Sequence, residues 1–212
     1  MAEVEPHARR AARAYLGRAP GRPAGWRDVH RQVFAFASTI HDRIYLLNDR
    51  FDLFDIEVSG ADALHAALER QPGALLVGAH LGSFEVLRAV GRGRAGLPVA
   101  MLMYEENARK INATLEAINP AASQDIIPLG RMDSMLQARD KLEAGYAVGM
   151  LADRSLGDDA TIPCDFLGQP APFPVGPWRM AALLRRPVFF MTGLYLGGNR
   201  YRLQFAQLAD FS

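Results

Sequence analysis

The 212-residue sequence contains a single cysteine, Cys164. One thiol forms no internal disulfide and builds no thiolate metal site alone, so a reducing compartment is the natural expectation. An excess of one charge is also missing: 24 Lys plus Arg face 23 Asp plus Glu. Such a balance creates no bulk field for non-specific nucleic-acid binding, and no nucleic-acid partner is expected. No run reaches the roughly 18 apolar residues of a membrane-spanning helix, and the Arg-rich start lacks the apolar core of a signal peptide. The five histidines are scattered without ligand spacing, which argues against a metal site. Internal repeats, the mark of a solenoid, are absent.

Half of the residues are hydrophobic, enough for the core of one domain over residues 26–212. Residues 1–25, broken by Pro and Gly, read as a loose leader. Charge is uneven only locally: residues 1–50 hold nine arginines against five acids. Over residues 29–47, Val33, Ala37, Ile40, Ile44 and Leu47 recur every three or four positions, the period of an amphipathic helix. That helix either packs on its own domain or lies in a membrane interface, and Phe34, Phe36 and Tyr45 suit both.

Strand and helix patterns then alternate. Strands are expected at 56–58, 74–79, 98–103, 125–128, 147–152, 188–196 and 201–205, and helices at 62–70, after Ser83, at 107–118, 133–143 and 178–184. Prolines 163, 170, 172, 174 and 177 crowd a segment that reads as an irregular loop. The alternation predicts an α/β fold with a mostly parallel sheet flanked by helices. Ending just after a strand, with no helix to cover that part of the sheet, the chain is expected to be cut short.

His80 stands where the apolar run 75–79 gives way to a loop and a helix, with Glu85 five positions on. Ligands in open α/β sheets bind beyond such strand ends. An imidazole there can accept a hydroxyl proton while a carboxylate fixes its tautomer. Gly82 would permit a tight turn, Ser83 would cap the helix, and the helix N-terminus would offer amides to an oxyanion. A histidine that only satisfies loop hydrogen bonds is the competing structural reading. Ser83 lacks the flanking glycines of a nucleophile elbow, and Cys164 has no basic neighbour to activate it. A second strand end delivers Asp153 and Arg154, either as a structural ion pair or as groups positioning His80, the acceptor or a phosphopantetheine arm.

His80-Leu81-Gly82-Ser83-Phe84-Glu85 resembles the H-x-G-[NS]-[WF]-E signature of bacterial lipid A biosynthesis acyltransferases, within the lysophospholipid acyltransferase superfamily. The resemblance continues through Asp153, residues 166–171, Pro174, Gly176, Ala181-Ala182 and Pro187, covering about 29–208. It implies the corresponding fold, with His80 as general base, Glu85 orienting it and Asp153 a third catalytic residue. It further implies substrate binding by Gly82, Ser83, Asn107, Arg154, Phe173 and Gly176. The implied reaction is direct attack of a hydroxyl or amine of a lipid or glycolipid on an acyl-carrier-protein or coenzyme A thioester, with no other cofactor. Its implied place is the cytoplasmic face of the bacterial inner membrane, as a peripheral protein. Two residues depart from the pattern: Arg154 replaces a common Gln, and Glu105 follows Tyr104 where a basic residue is usual. The second departure puts lipid A itself in doubt as the acceptor, and the sequence does not name another. A (thio)ester hydrolase using the same pair, or an inactive lipid- or carrier-binding module, are the alternatives.

Overall fold

The structure, a computed structural model, describes residues 6–19, 21–84, 86–87, 91, 97–104, 126–131, 133–155 and 159–212. The leader is not irregular: α1 (Pro6–Arg18) occupies it. Pro6 starts the helix, and the interior run of Ala, Arg and Leu consists of strong helix formers that outweigh the Pro and Gly beyond it.

The next helix, α2 (Trp26–Leu47), begins where Asp28 accepts the Gly25 amide at 2.9 Å, half of a capping box. Arg22 grips the same carboxylate through two 2.9 Å hydrogen bonds and, with the Gly25 amide, holds it well below the usual carboxylate range. Val29, Thr39, Leu46 and Leu47 are its buried residues. Asp42 fastens α2 to the sheet by accepting a 2.7 Å hydrogen bond from Tyr201. With that face inward, most of the apolar stripe seen in the sequence points outward: Ala37, Ile40 and Ile44 are exposed, beside Trp26 and Phe34.

The sheet strands are β1 (Asp55–Ser59), β2 (Ala74–Gly78), β3 (Val99–Tyr104), β4 (Ile126–Leu129), β5 (Ala147–Leu151), β8 (Pro187–Gly197) and β9 (Arg200–Asp210). Between them lie α3 (Ala61–Arg70), α4 (Ser134–Glu143) and α5 (Gly176–Leu184). Their order is β1-β9-β8-β2-β5-β3-β4, with β8 and β9 the antiparallel pair in an otherwise parallel sheet. The predicted mostly parallel α/β sheet is thus the observed one. The expected helix at 107–118 lies outside the described residues.

β2 is central, and all five of its residues are buried. Ala74 and Leu76 join one core with Leu46, Leu64, Phe189 and Tyr201, beneath α2 and α3. Leu75 and Val77 join the other with Ala138, Leu142 and Met180, beneath α4 and α5. Burial on both faces explains why this strand reads as a continuous apolar run rather than an alternation.

The Pro-rich segment departs from expectation. It forms an antiparallel ribbon of β6 (Thr161–Phe166) and β7 (Gln169–Pro174). Its two-residue turn, Leu167-Gly168, has φ of 52° and 75°, suited to the twist of a hairpin. Phe166 pairs with Gln169 next to the turn. Counting outward in alternation, Pro163, Pro170, Pro172 and Pro174 all fall in the pairs whose amides face away from the partner strand. A ribbon of two edge strands accepts proline there because no ladder hydrogen bond is lost.

Candidate active site

The C-terminal ends of β2 and β5 lie side by side, with Gly78 paired to Leu151 and the Ala152 amide donating to the Gly78 carbonyl at 2.9 Å. His80 and Asp153, separated by 73 residues in sequence, meet at this edge. One Asp153 oxygen accepts the His80 backbone amide at 2.9 Å, and the other lies 2.8 Å from His80 Nδ1. A carboxylate accepts hydrogen bonds, so the Nδ1 proton is fixed and Nε2 is left as the basic nitrogen. Partial burial pushes the Asp153 carboxyl up, but the His80 amide, the imidazole hydrogen bond and its charge together hold it below the usual range. The side chains are 47% and 29% exposed, accessible yet sheltered.

Gly82 adopts φ of 80°, a turn that favours glycine. Ser83 is buried, and its amide donates to the Gly193 carbonyl at 2.7 Å. That amide is therefore committed to β8 and is not an oxyanion donor. Phe84 lies against the Gly149 backbone: a Cβ at Gly149 would approach the ring to 2.5 Å.

His80 borders an open cleft. Its walls include Phe84, Met101, Leu102, Leu129 and Met150, with Tyr104 and Arg154 supplying polar groups. The Tyr104 hydroxyl donates a hydrogen bond to Asp159. Arg154 is exposed and makes no ion pair among the described residues. The cleft can hold an apolar chain with a polar group at its histidine end.

Phe173 and Gly176 are not on these walls. Phe173 packs edge-on against Phe166 in the ribbon, with ring centres 5.9 Å apart, while Gly176 begins α5. Glu85 and Asn107 lie outside the described residues. Cys164 is exposed on β6, within 3.9 Å of the Ile162 carbonyl. Sequence reasoning missed Gly149, Gly193 and the methionine walls. The signal for the glycines was a Gly interrupting an apolar strand, which marks close approach of another group.

The profile of the bacterial lipid A biosynthesis acyltransferases matches residues 28–212. The chain belongs to this family. No curated protein matches it significantly. This lipid A biosynthesis acyltransferase relative is accordingly an enzyme, a transferase of acyl groups. In the acyltransferase, residues 79–83 form an arch that leaves the end of β2, beside the strand end that carries Asp153.

Proposed function

We propose that this acyltransferase moves a fatty acyl group from an acyl-carrier-protein or coenzyme A thioester to a hydroxyl or amine of a membrane-associated lipid or glycolipid. The observation carrying this reading is the 2.8 Å contact between His80 Nδ1 and Asp153 at the mouth of an apolar cleft. His80 Nε2 takes the acceptor proton as its oxygen or nitrogen attacks the thioester carbonyl. Collapse of the tetrahedral adduct breaks the carbon–sulfur bond, and the imidazolium returns the proton to the departing thiolate. Asp153 holds the tautomer and stabilises the imidazolium. Glu85 enters through the family signature as a further carboxylate supporting His80.

The apolar cleft suits the acyl chain, and its Met and Phe side chains provide adaptable contact. Arg154 suits a phosphate of the pantetheine arm or of the acceptor headgroup. No further cofactor is called for by this chemistry. The exposed stripe of α2, flanked by Arg27 and Arg31, suits an anionic lipid surface, with the enzyme peripheral at the cytoplasmic face of the inner membrane. No helix among the described residues is long and apolar enough to cross a membrane.

The deciding experiment is mass spectrometry of products from each thioester with candidate phospholipid and glycolipid acceptors. The expected result is an acylated acceptor, formed with the native protein and lost in His80→Ala. Free fatty acid released at the same rate with or without acceptor would replace this reading with that of a hydrolase.

A further inference from the structure

The arch that carries His80 has a fastening on β8. β2 and β8 run in register as far as Val77 opposite Phe190. They meet again at a parallel bridge between Gly82 and Gly193. Between these points the β2 side spends five residues and the β8 side three. Five extended residues span about 17 Å and three about 10 Å, so the excess chain must leave the line of the strand. Residues 79–81 form that excursion, with His80 at its middle.

The fastening demands glycine on both sides. A Cβ on Gly82 would collide with the Gly193 carbonyl oxygen, and one on Gly193 would collide with the Ser83 carbonyl oxygen. Both obstacles are backbone atoms, which cannot rotate aside as a side chain can. Gly193 has no positive φ, so its need for glycine comes from close approach and not from backbone conformation. The same junction carries the 2.7 Å hydrogen bond from the Ser83 amide to the Gly193 carbonyl. On its other side, Gly193 pairs with Leu203 of β9. The anchor is thus part of the sheet, while among the described residues the arch is held at its ends and through Asp153.

We infer that Gly193 is a positioning residue for catalysis, holding the His80 arch at the height where Nδ1 meets Asp153. This rests on the reading of His80 as general base. An added methyl at residue 193 pushes Ser83 away, tilts the arch and lengthens the contact between His80 and Asp153. Misplacement by about 1 Å costs on the order of a hundredfold in turnover.

Three measurements on the full chain test this. In the unaltered protein, hydrogen exchange at the Ser83 amide should be as slow as at β2 amides; free exchange, as for a solvent-facing loop, overturns the fastening. In Gly193→Ala, kcat should fall by about a hundredfold while KM for the acyl donor changes little. The downfield proton NMR signal of His80 Nδ1–H should be lost. Val188→Ala, which removes buried volume at the far end of β8, is the matched control. It should lose stability but keep kcat and the Nδ1–H signal. If Gly193→Ala keeps both as well as Val188→Ala does, the inference is wrong. If Gly193→Ala does not fold, the Ser83 exchange rate decides. Loss of the Nδ1–H signal without loss of turnover would leave the fastening intact and reject His80 as the base.

Discussion

A carboxylate with two acceptor oxygens can hold a histidine by its backbone and its ring at once, and Asp153 does both for His80. The double hold fixes where the imidazole stands and which nitrogen is basic. His80→Ala should lower turnover by roughly a hundred- to ten-thousandfold, with a much smaller change in acyl-donor binding, measured by steady-state kinetics and donor titration. Asp153→Asn removes the charge and frees the tautomer, so it should also depress turnover severely. The double variant should lose far less than the product of the two separate losses, because the residues act as one unit. The Asp153 carboxyl is held below its ordinary value in the folded protein. Its contribution to stability is therefore present above about pH 4, the ordinary aspartate range, and is lost as pH falls through the lower folded value. Urea titrations at descending pH should show Asp153→Asn and native protein converging in stability under acid conditions.

Among the elements, α2 shows most clearly how tertiary contacts choose a helix face. Its 22 residues span about 33 Å, and Ile40 and Ile44 remain 42% and 47% exposed. Binding to anionic vesicles should weaken with added salt and in the Ile40→Asp/Ile44→Asp variant, read by co-sedimentation with circular dichroism unchanged. Undiminished binding would remove α2 from the docking surface. On the inner side, Tyr201→Phe should destabilise the protein by about 1.5–3 kcal/mol, because the Asp42 carboxylate loses its hydrogen bond. Burial, and then the bond to Asp42, push the Tyr201 hydroxyl above its ordinary value. Stability from this contact is complete below about pH 10 and falls as pH rises toward the higher folded value. The native protein should accordingly lose more stability than Tyr201→Phe does in strong alkali.

For the molecule as a whole, β2 lies at the centre of the sheet between both cores: alternate residues serve opposite faces, and the arch leaves from its end. Leu75→Ala and Leu76→Ala should each cost about 2–5 kcal/mol in urea unfolding, although they face different helices. Both cores should be lost in one transition, since each is built on the same sheet. The ribbon β6–β7, largely exposed and paired chiefly with itself, should exchange its amides well before β2 does.

Local pattern was enough for much of this architecture. Apolar runs of strand length, separated by helical periods, determined the order of the sheet strands and of most helices and the mostly parallel sheet, while α1 and the β6–β7 ribbon escaped them. A histidine at a strand end, within a family-like signature, determined where chemistry should be sought. Those features are legible because periodicity and strand-to-helix junctions are written in neighbouring residues. The partner on His80 Nδ1 was decided by the pairing of β2 with β5, which closes a gap of 73 residues. The outward stripe of α2 was decided by Asp42 and Tyr201, and the hold on the arch by Gly193, reached only when β8 lies beside β2. Proline count suggested a loop at 163–177, whereas antiparallel register let four of those prolines turn their missing donors outward. Apart from that local hairpin, each deciding contact joins residues far apart in sequence, and only the assembled sheet brings them within hydrogen-bond or van der Waals reach.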